Sequence, residues 1–500
     1  MYSNKQTKIK KMLMDFDYIL IDSFDALKYL KNNGLNKTIK ILSFNPYLVL
    51  KKQNIIISPE QFLKREYYSD LGSISKIYTG KLFEDIIRQT NNRSLGVYIS
   101  QYLITIQNII HRASVVHKII NKKKLLIIYT DYSQKNLNKK VNGDFYNLME
   151  KYDNISLFKL IYEGEDQYKL GRDPVIKFTT RLNFEALSSI LFRLSAILCN
   201  KISKYWKGKR ILYSHENSLL KGASFWLFLH GYFVERLPTI KFRKNKNILE
   251  DNKYKKILFS TYEIIHSYQK KILGIENEKI ARDFFYPLFK NYLDDFFIYE
   301  SFWKKDFLDG NHNKVKACLV GTPGSVAELT YLEAAKKNNI VTASFQHGIS
   351  KEISGDILNI DSIYESNIVD NYFVFNKEAY NNSLESRFHY AKDYVVGLAS
   401  DMKNSLWHQK YKIDTPPILY ASTTLYCGNR GIPSRSGSSD LNKAKLELLI
   451  INKVLSKIPH LVQYKPYFSK RYVGPIIELV EAEKKRNITV NYDEIDLRYI

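Results

Sequence analysis

Cysteine is scarce in this chain. Its 500 residues contain three, Cys199, Cys318 and Cys427. They lie far apart with no CxxC spacing, which excludes a disulfide-stapled scaffold and a zinc site built on cysteine. The ten histidines form no HExxH or other paired ligand pattern, so neither a metal nor another cofactor is expected. Long apolar runs are missing too. Leu125 to Tyr129 and Phe225 to Leu229 stop at polar residues, far short of the ~20 residues that a spanning helix needs. Met1 to Lys11 is polar and basic and leads into no apolar stretch, so no signal peptide is expected. There is no long-period repeat and no low-complexity tract. These absences lead to the expectation of a soluble cytoplasmic protein, with peripheral contact to the inner face of the plasma membrane as its closest approach to lipid.

What is present is globular. Hydrophobic residues make up 45% and aromatics 14%, a composition that buries a core. The length implies two or three domains. Lys and Arg number 76 against 51 acidic residues, a net charge of +25. Such an excess favours anionic partners: nucleotides, phosphorylated lipids, nucleic acid or the anionic inner membrane surface. It is equally what a chain heavy in Lys, Asn, Ile and Tyr carries as solvated surface. No nucleic-acid-binding module is recognisable and the aromatics follow core-like patterns, so no nucleic acid is expected as a partner.

Short β-like runs alternate with helical stretches, which implies parallel sheet with helices on its faces. Strands are expected at 17–21, 38–43, 54–58, 125–129 and 210–213. Helices are expected at about 73–121, 183–204 and 218–231. From Tyr262 to Phe307 the pattern is helical and rich in Phe, Tyr and Lys, which suits either core packing or a membrane-surface helix. Asp309-Gly310-Asn311 is a turn signal. It sets the expected domains at 1–308 and 309–500. The segment from Val315 to Gly348 reads as a strand, a glycine turn, a helix and a second strand. Ser325 with Glu328 three residues on predicts a capping box. Further strands are expected at 371–375, 393–396, 417–421, 461–464 and 488–490, with a helix at 441–457.

In open parallel sheets ligands bind beyond the carboxyl ends of the strands, so the residues that end strands are the candidates. Gly321-Thr322-Pro323-Gly324-Ser325 aims backbone N–H groups from a helix N-terminus, suited to phosphate or to ordinary helix entry. In Gln346-His347-Gly348 the glycine permits close backbone approach, and His347 can meet a phosphate or a sugar hydroxyl, or make a structural hydrogen bond. The loop from Ser422 to Ser439 is longer than most connections. Its Arg430 and Arg435 are fork donors suited to a pyrophosphate. Lys465 ends a strand, where it is either a counter-charge or a solvated lysine. Ser214-His215-Glu216-Asn217 ends another strand, with Lys221 one turn into the next helix. Glu216 is suited to general-base work on a hydroxyl, and the competing reading is helix capping by Ser214 or Asn217. Asp22 and Asp131 occupy similar strand ends.

The succession Ala317 to Val320, Gly321 to Ser325, Phe345 to Gly348, Tyr372 to Phe375, Val395 to Gly397, Ile418 to Thr423 and Tyr464 to Pro466 resembles bacterial surface-carbohydrate and capsule-polysaccharide glycosyltransferases of the GT-B type. The Ser214 to Asn217 element with Lys221 is similar to a feature of the same group. The resemblance implies an α/β fold of two Rossmann-like domains facing a cleft. It implies a nucleotide sugar as donor and a surface glycan or lipid-linked precursor as acceptor. Donor contacts would come from Gly321, Thr322, Gly324, Ser325, Gln346, Gly348, Thr423, Arg430, Arg435 and Lys465. Glu216 and His347 would be catalytic, and His215, Asn217 and Lys221 would line the acceptor side. The chain departs from the pattern in carrying Tyr467-Phe468 where relatives have His-Pro. The pattern also implies one or two further βα units after Ile500, leaving the C-terminal domain incomplete. Competing readings are a sugar-nucleotide epimerase of similar fold, a basic nucleic-acid-binding protein and a non-catalytic scaffold.

Overall fold

The computed structural model describes residues 13, 15–34, 39–52, 54–62, 64–131, 138–161, 194, 198, 208–214, 217–237, 252–310, 312, 314–321, 323–346, 365–385, 388–398, 418–422, 440–465 and 487–490. It is an α/β structure. The chain opens with β1 (Tyr18–Ile21), α1 (Phe24–Asn32), β2 (Lys40–Leu42), α2 (Pro46–Lys51) and β3 (Ile56–Ile57). Two long helices follow, α3 (Arg65–Thr90) and α4 (Arg93–Ile120), then β4 (Leu125–Asp131), α5 (Asn138–Met149) and β5 (Ile155–Ile161). All these strands are parallel, in the order β3-β2-β1-β4-β5, the order of a dinucleotide-binding half. Both faces are covered, so the strands are apolar along their length. Tyr18, Leu20, Leu125 and Ile127 join one core, while Ile19, Ile21, Leu126 and Ile128 join the core on the opposite face.

The second sheet begins with β6 (Arg210–Ser214), α6 (Ser218–Leu229) and β7 (Phe233–Arg236). A helical hairpin intervenes, α7 (Asn252–Leu273) and α8 (Glu278–Leu308). Then come β8 (Val315–Val320), α9 (Val326–Lys337), β9 (Val341–Phe345), β10 (Asn371–Val374), α10 (Lys377–Leu384) and β11 (Lys392–Val395). This sheet is also parallel, in the order β11-β10-β9-β8-β6-β7. Its strands therefore cross the division expected at 308/309: Ile211–Ser214 lie in register beside Ala317–Val320. Turn signals such as Asp309-Gly310 mark the end of a helix, and pairing is decided by which apolar edges meet. The remaining strands, β12 (Ile418–Ala421), β13 (Val462–Lys465) and β14 (Ile488–Val490), form a separate parallel sheet with α11 (Asp440–Lys453) between β12 and β13.

Two helices expected as single runs are each broken in two. The first breaks at Asn91, which takes the left-handed conformation at φ 51°, and Asn92, whose side chain caps α4 by accepting from Leu95 N. Asparagine tolerates that conformation and is a good N-cap. The second breaks at Gly274, φ 90°. The Phe- and Tyr-rich face of α8 is core: Phe285, Phe289, Leu293, Phe296 and Trp303 are fully buried. Tyr98 and Tyr292 stack with ring centroids 4.0 Å apart, and each hydroxyl donates to the other's carbonyl. No described helix is long and apolar enough to cross a membrane.

Helix α4 buries 21 of its 28 residues. It packs against α3, α5, α7, α8 and α9, and a single apolar cluster runs from it to one face of each sheet. Several of its buried polar groups pair with the neighbouring helices. His111 Nε2 lies 2.7 Å from the Tyr268 hydroxyl and 3.1 Å from Ser75 Oγ, which is itself 3.0 Å from Tyr268. Burial pushes the His111 imidazole down to about 3, and that of His117 to about 4. In the unfolded chain both titrate near ~6.5. Below that pH the unfolded state binds protons that the native state refuses, so stability falls on acidification from about 6.5 towards 4 and is fully present above it. Each histidine contributes a slope of up to about 1.4 kcal/mol per pH unit. Urea unfolding measured at several pH values should show this slope. His111→Gln should flatten it whatever it does to the baseline, and an unchanged slope would remove His111 as its source.

Candidate functional site

Numbered from β6, the second sheet runs 2-1-3-4-5-6, a doubly wound order. Its direction of winding reverses between β6 and β8, and in such sheets the crevice at the carboxyl ends of those two strands is where ligands bind. Three of the strand-end segments singled out from sequence come together there. Ser214 ends β6, Gly321 follows β8 and Gln346 follows β9. The segments were expected on two facing domains, yet they share one sheet edge.

The described residues of this rim are locked to one another. Gly321 N donates to Ser214 O at 3.0 Å, tying the β6 and β8 ends together. Ser325 caps α9, and the predicted capping box is present, with Glu328 reaching back. Glu328 is almost wholly buried. One of its carboxylate oxygens accepts from the Ser214 hydroxyl. The other accepts from Gly324 N at 3.3 Å and Ser325 N at 3.1 Å. The negative charge sits at the positive end of the α9 dipole, where it is stabilised. The backbone donors of Gly324 and Ser325, expected to meet phosphate, thus already meet a carboxylate of the same chain.

The same holds for the polar side chains nearby. Asn217 caps α6, its Oδ1 accepting from Leu220 N at 2.9 Å, and its Nδ2 donates to Phe345 O at 3.1 Å. It therefore joins the β6–α6 turn to the end of β9. Gln346 is buried, accepts from Phe375 N through Oε1 at 2.9 Å and donates its own N–H to Phe373 O. It joins the ends of β9 and β10. Lys221 lies one turn into α6 and is half-buried. His215, Glu216, Thr322, His347, Gly348, Thr423, Arg430, Arg435 and Tyr467 lie outside the described residues.

Lys465 ends β13, in the three-stranded sheet, and is buried. That sheet shares no strand pairing with the six-stranded one. Strands 418–421 and 462–465 follow the sequence expectation as strands but do not extend the edge that carries Gly321 and Gln346. In the same small sheet, the buried Glu447 of α11 accepts from Tyr464 OH at 2.7 Å and Tyr420 OH at 3.2 Å. Burial is the main cause that raises both tyrosines, Tyr420 to about 12, with the Glu447 charge adding to it.

At the switch point of the first sheet, between β1 and β4, Asp22 accepts from the Tyr146 hydroxyl at 3.2 Å, and Asn45 donates to its carbonyl. Among the described residues no group of three or more His, Cys, Asp or Glu could hold a metal ion.

Glu328 is the rim residue whose role exceeds its sequence signal, because Ser325-x-x-Glu328 announces a cap but not the bond to Ser214, more than a hundred positions away. Glu328→Ala would leave a buried hydroxyl and two backbone N–H groups without their acceptor, and should cost at least about 2 kcal/mol in chemical denaturation. Glu328→Gln should cost less, since an amide oxygen still accepts and the Ser214 hydroxyl can rotate to accept from the amide. Equal losses would mean that the bonds to Ser214, Gly324 and Ser325 do not carry the effect. Comparison with protein-family models, with curated proteins and with solved structures finds no match to this chain.

Proposed function

We propose that the chain is a glycosyltransferase of GT-B type, moving a sugar from a nucleotide-activated donor to a surface polysaccharide or a lipid-linked glycan precursor. The observation that carries the reading is the switch point of the six-stranded sheet. Ser214 and Asn217, on either side of His215-Glu216, stand beside Gly321 and Gln346, which border Thr322 and His347. A doubly wound sheet with a carboxylate and an imidazole in the loops at its reversal has the layout of a nucleotide-binding crevice with a base beside it.

In this reading the six-stranded sheet holds the donor, and the five-stranded sheet is the second Rossmann-like unit. Glu216 takes the proton from an acceptor hydroxyl, whose oxygen attacks the anomeric carbon. The bond from that carbon to the nucleoside diphosphate breaks, and the diphosphate leaves with the electron pair. His347 and the guanidinium groups of Arg430 and Arg435 offset its charge, with Thr423 and Gly348 lining the donor, while Lys465, in the separate three-stranded sheet, takes no part at this edge. His215 and Lys221 contact the acceptor. Gly321, Gly324, Ser325, Gln346 and Asn217 act as the frame that positions these loops, and Glu328 is the brace within it. The reaction takes place in the cytoplasm, where activated donors are made.

Calorimetry against a panel of nucleotide sugars, with transfer followed by product analysis, tests this. Glu216→Gln should keep donor binding and lower transfer or donor hydrolysis by roughly 10²–10⁴-fold. His347→Ala should weaken donor binding by about tenfold, equivalent to about 1.4 kcal/mol. Failure of the intact chain to bind any nucleotide sugar sinks the assignment. Turnover of the donor without an acceptor, giving an isomerised sugar nucleotide, points to an epimerase instead.

A further inference from the structure

Helix α6 has the sequence Ser-Leu-Leu-Lys-Gly-Ala-Ser-Phe-Trp-Leu-Phe-Leu from 218 to 229, with one lysine and no carboxylate. Its inward side is conventional: Leu220 is buried and Leu219, Ala223 and Leu227 pack against the second sheet. Its outward side is not. Phe225, Trp226, Phe228 and Leu229 are 63%, 57%, 54% and 65% exposed. Phe225, Trp226 and Leu229 follow the i, i+1, i+4 spacing of one helical face. The Trp226 ring stacks on His230 at 3.8 Å between centroids, which holds the indole on the outside. The short stretch from 225 to 229 thus leaves four large apolar side chains in water, which marks an interaction surface rather than scattered exposure.

We infer that this face of α6 is where the protein docks on an anionic phospholipid bilayer, lying in the plane of the headgroups. The partner follows from three features. Trp and Phe on an exposed helix face are the side chains that settle at the headgroup–acyl boundary. The patch contains no acidic side chain, and the exposed Lys209, just before β6, lies beside it, its ammonium over the ring of Tyr232, whose N–H donates to Leu227 O. The chain as a whole carries +25. That charge is attracted to an anionic surface, whereas a second copy of the chain would bring +25 against +25. The helix begins at Asn217, the residue that closes the β6 end of the candidate site. The exposed stretch is the far end of the same helix, ~12–18 Å from Asn217, so docking through it would leave the rim beside the membrane surface, within reach of a lipid-linked acceptor. The docking itself does not depend on the sugar-transfer reading, because it is measured with no donor or acceptor present.

The test is co-sedimentation of the full-length protein with vesicles of phosphatidylcholine mixed with phosphatidylglycerol, and with phosphatidylcholine alone, at low and high salt. Binding should require the anionic lipid and weaken with salt. The triple variant Phe225→Ser, Trp226→Ser, Leu229→Ser removes only exposed side chains, so its thermal melt should match that of the parent. Its vesicle partition coefficient should fall by ~10-fold or more. As an internal control, Phe259→Ser removes another exposed aromatic, on α7, and should leave partitioning unchanged. The inference is overturned if the intact protein ignores anionic vesicles, or if the triple variant binds as the parent does. It is also overturned if the triple substitution converts a dimer to a monomer with vesicle binding retained, since the face would then belong to a second copy.

Discussion

The burial of α4 is the constraint on which the rest of the structure depends. A helix that is apolar on nearly every side has no solvent face, so it must be enclosed. Helices α3, α5 and α9 and the α7–α8 hairpin enclose it, with one face of each sheet completing the apolar cluster around them. One face of each sheet is spent on this, which accounts for the single apolar cluster that runs from Tyr18 in β1 to Tyr372 in β10. At its N-terminal end Arg93 fixes the arrangement. Its guanidinium donates to Asn367 O at 2.7 Å and Phe388 O at 2.9 Å, and lies over the rings of Phe83 and Tyr390. Residues near position 93 are thereby held to turns almost 300 positions later, on either side of β10. The polar groups carried along the buried helix must then find partners inside, as His111 does with Ser75 and Tyr268.

With one face of the second sheet committed to that core, its strand order decides where a ligand can go. β6 and β7 arrive before the long hairpin and β8 to β11 after it, yet all pair in one sheet. The reversal of winding falls between β6 and β8, so segments a hundred residues apart, at Ser214 and at Gly321, become neighbours. This replaces the picture of an acceptor element on one domain and a donor element on the other. A cleft between domains is not needed to bring Ser214 close to the glycine turn, because adjacent strand ends in a parallel sheet, spaced ~5 Å apart, already do so.

Local features were legible in sequence and their partners were not. The strands at 18–21, 40–42, 315–320 and 341–345 announce themselves as apolar runs between turn signals, and the capping box of α9 is readable from two residues. These depend on neighbours within a few positions. The break at Asn91 and the one at Gly274 were in principle visible, since both residues favour the left-handed conformation, but the apolar periodicity continues across each and masks it. Strand partners depend on which edges meet after collapse, and period-2 patterning is silent on that. So the sequence assigns β6 to a first domain and Lys465 to the same edge as Gly321, while the sheets place them otherwise. The aromatics show the same limit. Adjacent aromatic pairs occur in both α8, at Phe284-Phe285 and Phe296-Phe297, and α6, at Phe225-Trp226, yet those of α8 pack on the core while Phe225 and Trp226 stay exposed, a difference that depends on what each helix meets.

Glu328 explains how the described part of the rim satisfies its own backbone groups. A helix N-terminus presents backbone N–H groups that must be satisfied by some acceptor. In a phosphate-binding turn that acceptor is the ligand, and the turn is incomplete without it. Here the carboxylate of the capping box takes the N–H groups of Gly324 and Ser325, and the hydroxyl of Ser214 secures its other oxygen. Asn217 and Gln346 are satisfied in the same way, by backbone groups of adjoining strand ends. The rim is thus self-complementary before anything binds, so its shape does not have to be organised by the substrate. Under the proposed function, recognition would fall to residues 215–216, 322 and 347–348, whose sequence contains the carboxylate, the hydroxyl and the imidazoles that the framework residues do not offer. A rigid frame around a few chemically varied loop positions is an arrangement in which specificity can change without the fold being disturbed.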